Sequence, residues 1–296
     1  MDKAQNILRQ VRRIELNARK LATAGFLGQY RSGFRGQGLD FDDFREYLPG
    51  DEPRFIDWKV TARTGTPYVK KFREDREQVL LLAVDTSASM RYASEGCTET
   101  KLEYAARLAA VLGYSAARNG DKCGLLLFGR RFRFFLTPDK GMKQTLRIIR
   151  EILSSPPAGE DASMNGVADE ILHTQRKRAL LFLISDFLME ADKSALGRLA
   201  FRHELIPVRV ADSRELELPE AGRVVLRDPE GGAPLQIDLR RPELIEAHRR
   251  AVTAHREAWE RDIRRLGLDF VDLHTHQDFI PPLRGMFARR SRLFAR

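Results

Sequence analysis

Residues 79–90, VLLLAVDTSASM, hold the side chains best suited to chemistry. An apolar run ends at Asp85, and hydroxyls follow at alternate positions, Ser87 and Ser89. A carboxylate with two hydroxyls offers only hard oxygen donors, which suit Mg²⁺ or Mn²⁺ and not a soft thiophilic metal. A second run, ALLFLISD over 179–186, ends in Ser185 and Asp186. If the two runs are neighbouring strands, their carboxylates lie side by side and repel unless a cation stands between them. The bland alternative makes both Asp-Ser groups helix N-caps, since Asp and Ser also start helices.

These groups need elements that hold them. Val79–Val84 is short, continuous and apolar, the pattern of a strand buried on both faces in a parallel sheet. Ligands of open α/β sheets bind beyond the carboxyl ends of such strands. Helical and strand patterns alternate through the middle of the chain. Strand 79–85 leads to helix 101–119, strands 123–128 and 132–136, and helices 141–153 and 163–175. Strand 179–185, helix 191–201 and strand 204–210 follow. The pattern predicts an α/β fold, a mostly parallel sheet with helices on both faces. A helix over 2–22, with Ile7, Leu8, Val11, Ile14 and Leu21 as its stripe, precedes this core. A hairpin over 224–237 and a long helix opened by Pro242 follow it, with Ile245, Val252, Trp259 and Leu266 recurring every seven residues. A strand over 270–273 and a terminal helix over 279–290 complete the chain. The segments are thus 1–35, a helix and Gly-rich loop; 36–78, a charged and aromatic box; 79–211, the core; 212–267, a hairpin-plus-helix insertion; and 268–296, a last strand and basic helix.

Composition bounds the function. The 296 residues are 43% hydrophobic, enough for a sizeable core. No apolar run reaches the roughly 18 residues of a membrane span, and the first thirty residues lack a signal peptide's apolar stretch, so a cytoplasmic location is expected. Cys97 and Cys123 form neither metal-ligand spacing nor a disulfide framework. The net charge is +9, with +6 in residues 1–36, +5 in residues 284–296, and −2 between them. Basic ends suit an acidic protein, a peripheral membrane contact or non-specific nucleic-acid contact. No motif for sequence-specific nucleic-acid reading is present. His274-x-His276-x-Asp278 has no second ligand cluster to complete a catalytic metal site. No Gly-x-Ser-x-Gly elbow or P-loop occurs.

The box from Gly36 onward carries a resemblance. Asp40-Phe41, Arg45-Glu46-Tyr47, Pro49-Gly50-Asp51, Arg54, Ile56-Asp57-Trp58 and Ala62-Arg63 precede the Asp-x-Ser-x-Ser-Met segment and a later Ser185-Asp186-Phe187. This arrangement resembles the bacterial "domain of unknown function 58" proteins, relatives of von Willebrand factor A domains often encoded beside MoxR-type AAA+ ATPases. The resemblance spans about Gly36 to Leu273 and is to the short, soluble form. It implies a von Willebrand A-like (Rossmann-like) core with a metal-ion-dependent adhesion site. Asp85, Ser87 and Ser89 would supply the first ligands and Asp186 the later carboxylate. The threonine usual in the intervening loop is missing from residues 159–170, where Ser163 by its hydroxyl or Asp161 by its carboxylate would stand in. The implied role is non-enzymatic: metal-dependent protein binding, with a client's Asp or Glu completing the site and a MoxR-type ATPase as partner in assembly or maturation of other proteins. A divalent-metal-dependent hydrolase using Asp85 and Asp186 is the alternative. The box itself reads in two ways. Arg45, Tyr47, Asp51, Arg54, Asp57, Trp58 and Arg63 are either internally paired groups of a folded arm or a docking surface rich in aromatics and arginine.

Overall fold

The computed structural model describes residues 3–21, 40–52, 55–73, 78–94, 96–129, 132–156, 164–189, 192–218, 222–229, 231 and 233–294. Its centre is a six-stranded sheet. In chain order the strands are β3 (Val79–Asp85), β4 (Lys122–Phe128), β5 (Phe132–Lys140), β6 (Leu180–Ser185), β7 (Glu204–Ala211) and β10 (Val271–His274). Their spatial order is β10-β7-β6-β3-β4-β5, and only β5, at one edge, runs antiparallel. The two chemistry-bearing strands, β3 and β6, are therefore parallel neighbours, with Leu80 opposite Leu180 and Val84 opposite Ile184. Both carry their polar residues out of the same edge of the sheet.

Burial follows from the strand period of two. Leu80, Leu82 and Val84 face one layer of core, and Leu81 and Ala83 face the other. The first layer is covered by α1 (Lys3–Leu21), α3 (Lys101–Asn119), α4 (Met142–Ser154) and α9 (Ile280–Phe294). The second is covered by α5 (Met164–Thr174), α6 (Lys193–Arg202) and α8 (Pro242–Arg265). The expected α/β architecture is what forms. Helix α3 begins at Thr100 with a capping box to Glu103 and ends at Gly120 (φ +79°). Its Gly113 sits against α4, where an added Cβ would lie 2.9 Å from Thr145 Cγ2.

Several boundaries differ from expectation, each for a local reason. Strand β5 continues past Leu136 to Lys140 although it contains Pro138. An edge strand tolerates proline, and Gly124 opposite leaves room for the ring. On α1, Ile14 and Ala18 are buried while Leu8 is 58% exposed, so the buried stripe is narrower than the sequence pattern. Of the seven-residue repeat on α8, only Trp259 is buried, joined by Ile263.

The box folds as a small unit, of which the alternation over Tyr68-Val69-Lys70-Lys71-Phe72 marks one strand. Strands β1 (Asp40–Glu46) and β2 (Tyr68–Arg73) pair antiparallel, with a register shift between Phe41 and Asp43. A short helix, α2 (Trp58–Thr64), lies between them. Asp57 caps α2 by accepting from Lys59 N at 2.9 Å and Val60 N at 3.1 Å. The Pro49-Gly50-Asp51 turn forms with Gly50 at φ +110°. In the insertion, α7 (Ser213–Leu216) and the hairpin β8 (Arg223–Leu226) with β9 (Leu235–Asp238) lead into α8.

Candidate metal centre

Asp85 ends β3 and is fully buried. Its carboxylate accepts from Ser87 N at 2.9 Å and from the Ser185 hydroxyl at 2.6 Å, the latter at the end of β6. Strand pairing thus delivers a hydroxyl from one strand to the carboxylate of the next. The chain after Asp85 turns so that Ser87 Oγ and Ser89 Oγ stand 3.0 Å apart. Ser89 Oγ donates to Asp186 Oδ2 at 2.7 Å. Asp186, 3% exposed, also accepts from Leu188 N at 3.2 Å through Oδ1. Asp85, Ser87, Ser89 and Asp186 accordingly form one connected cluster, of which Ser87 is the half-buried member.

The N-cap alternative fails here. Among the described helices with a side-chain cap on the N-cap residue, that residue is Asp57, Thr100, Asp192 or Asp212. The short 3₁₀ turn after Asp85 starts from Ala88 with no side-chain cap.

Charge at the cluster is unevenly compensated. Burial, and then the neighbouring Asp186, hold the Asp85 carboxyl well above the ordinary carboxylate range, against the pull of its bonds from Ser185 and Ser87. On the far side of Asp186 lies the fully buried Lys101, whose ammonium donates to Asp186 Oδ2 at 2.8 Å and to Glu215. Burial alone would lower the Lys101 pKa, but attraction from Asp186 and Glu215 outweighs it and raises the value. Glu215 sits on α7 and closes a capping box with Asp212.

Two loops are anchored to the long helix. Phe187, directly after Asp186, has φ +53°, the one positive φ at a non-glycine residue among those described. Its N–H donates to Ser185 Oγ, its carbonyl meets His255 Nε2 at 3.0 Å, and its ring packs on Trp259 with centroids 5.2 Å apart. His248 Nε2 similarly meets Glu215 O at 3.1 Å. Of the two histidines of α8, His248 is half-buried and His255 exposed, and both bond to backbone carbonyls.

The donor types fit a hard cation: two carboxylates and two hydroxyls converge, and among the described residues no ammonium or guanidinium is bonded to Asp85, while Lys101 is bonded to Asp186. Asp161 and Ser163, the expected stand-ins for threonine, lie outside the described residues.

The family model for "Protein of unknown function DUF58" matches residues 43–258. The chain belongs to the DUF58 family. An uncharacterized protein of Mycobacterium tuberculosis is 31% identical to this DUF58 chain over 285 residues, covering 95% of this chain and 89% of that one. An uncharacterized protein of Mycobacterium avium is 34% identical over 141 residues, 47% of this chain and 82% of its own. Among solved structures, the conserved hypothetical protein BatB from Bacteroides thetaiotaomicron is 14% identical with TM-score 0.45, covering 73% of this chain and 99% of that one. An aerotolerance-related membrane protein from Bacteroides fragilis is 16% identical with TM-score 0.46, covering 73% and 99%. The SpRpn10 VWA domain is 14% identical with TM-score 0.34, covering 46% and 76%. No described helix of this DUF58 chain is long and apolar enough to cross a membrane.

The box residues separate by role. Arg45 grips Asp51 through two bonds of 2.7 Å, and Asp51 also accepts from Leu48 N. Asp57 is the α2 cap. These three are bonded within the box. Trp58 is 68% exposed, Arg63 is exposed and Tyr47 is half-buried. Arg54 lies outside the described residues. His274, His276 and Asp278 form no ligand cluster, and among the described residues no group of three or more His, Cys, Asp or Glu does; Asp278 instead accepts from Ile280 N at the start of α9.

Sequence reasoning did not single out Lys101 or Glu215 as site residues. A signal was present: Lys101 occupies the first position of α3, where the helix dipole disfavours a cation.

Proposed function

We propose that this DUF58 chain is a non-enzymatic, metal-dependent protein-binding module of the cytoplasm. On this reading Asp85, Ser87, Ser89 and Asp186 hold Mg²⁺ or Mn²⁺, and an Asp or Glu of a client completes the coordination. A MoxR-type AAA+ ATPase is the proposed partner in assembly or maturation of other proteins, with Trp58, Arg63 and Tyr47 offered for docking.

The observation that carries the reading is the meeting of two buried carboxylates and two hydroxyls at the ends of adjacent parallel strands. Mg²⁺ prefers six oxygens and keeps exchangeable positions where the protein supplies few. The bound ion would supply a point of attraction for an anionic side chain; the protein's own residues orient it and exclude water from its buried side. Serine hydroxyls contribute no charge, so the ion keeps more attraction for a client's carboxylate than it would among acids alone.

Calorimetric titration of Mg²⁺ and Mn²⁺ into the wild type and Asp85→Ala tests the proposal. Saturable binding confined to the wild type is expected. Equal binding by both proteins, or metal-dependent phosphatase or nuclease turnover lost in Asp85→Ala, would overturn it.

A further inference from the structure

Removing a lysine ammonium from water costs several kcal/mol unless anions receive it. Among the described residues Lys101 is the lysine that is fully buried, and two carboxylates receive it. One of them, Asp186, uses the same Oδ2 atom to accept from Ser89. The ammonium is thus two hydrogen bonds from the DxSxS hydroxyls. Within this bonded set stand three acids, Asp85, Asp186 and Glu215, and one fixed cation. When all are ionised, two negative charges remain, the charge that one divalent ion cancels.

We infer that Lys101 is a resident counter-cation that sets the charge balance of the strand-end site and holds its affinity for divalent metal down. This deepens the metal-site reading above and rests on it. With Lys101 in place, the set is neutral when loaded with one divalent ion, and a neutral set admits a client's carboxylate. Without Lys101 the loaded set keeps a negative charge and repels that carboxylate. Glu215 opposes Lys101: it draws the ammonium toward α7 and adds a negative charge of its own.

The test uses Mg²⁺ and Mn²⁺ as probes, titrated calorimetrically into the full chain as wild type, Lys101→Met and Glu215→Gln. Circular dichroism and melting establish that each is folded. Lys101→Met is expected to tighten binding about tenfold, the effect of a unit charge on a divalent ion ~6 Å away even at the dielectric of water. Glu215→Gln is expected to weaken it. Opposite signs separate an electrostatic role from general loosening of the site, which would weaken both. If the wild type binds and Lys101→Met binds no more tightly, the inference fails while the metal reading stands. If only Lys101→Met binds, the cluster takes metal and Lys101 keeps the free wild type empty, so the inference holds and the expected binding by the wild type is overturned. If neither binds, both fail. Should Lys101→Met not fold, Glu215→Gln decides alone: unchanged or tighter binding overturns the inference.

Discussion

Replacing Asp85 by asparagine should stabilise the metal-free protein while abolishing its response to metal. Asp85 is fully buried, and its two closest bonds, from Ser87 N and, with the hydroxyl reoriented, Ser185 Oγ, can largely be reproduced by an amide. Losing the charge weakens those bonds by about 1 kcal/mol each. Against that, the variant no longer buries an ion beside Asp186, a penalty of several kcal/mol in the wild type. The upward displacement of the Asp85 pKa by burial and by Asp186 shows which side wins. A net gain of about 2 kcal/mol follows, or a Tm rise of roughly 4 °C for a chain of this size. The assay is thermal melting in EDTA and in excess Mg²⁺. Wild type should gain about 2.7 kcal/mol when the metal is at 100-fold its dissociation constant, and Asp85→Asn should gain nothing. An Asp85→Asn variant that melts below the wild type in EDTA would refute the electrostatic argument. One that keeps the Mg²⁺ shift would refute the assignment of Asp85 as a ligand.

Two further expectations concern other parts of the molecule. His203 is 1% exposed with neither ring nitrogen hydrogen-bonded, and burial, with Arg202 and Arg178 nearby, lowers its pKa to about 4. The unfolded chain therefore takes up a proton that the folded chain refuses between about pH 6.5 and 4. Stability is full above that window and falls by up to about 3 kcal/mol as pH drops through it; urea unfolding at pH 7.5, 6 and 4.5 should show a shallower fall in His203→Leu, and parallel curves would count against the argument. Trp58→Ala should leave Tm within about 1 °C, as an exposed surface change away from the core, yet reduce capture of a purified MoxR-type ATPase. Unaltered capture would remove Trp58 from the proposed docking face.

Asp186 is followed by a residue in the left-handed region, where a bulky side chain is disfavoured. Phe187 is held there by packing against Trp259 and by the bond from its carbonyl to His255. Lys101 and His248 tie Glu215 to the site and to α8, respectively. Helix α8 thus fixes both the loop that carries Asp186 and the segment that carries Glu215.

The sequence by itself determined the central strands, the helices between them and the pair Asp85 and Asp186 at two strand ends. Each of these depends on local periodicity, which burial on two faces of a sheet imposes residue by residue. It also determined the DxSxS hydroxyls, because their spacing within one turn is a local property. Tertiary structure alone decided that β3 and β6 are adjacent, which is what lets Ser185 reach Asp85 and Ser89 reach Asp186. It decided that Lys101 and Glu215, 114 residues apart, share an ion pair beside the cluster. It also gave the charged box its first strand, β1, where a bulge between Phe41 and Asp43 breaks the period of two, whereas the alternation over 68–72 already marks β2. Such contacts depend on which chain segments meet in space, and no pattern confined to one segment records that meeting.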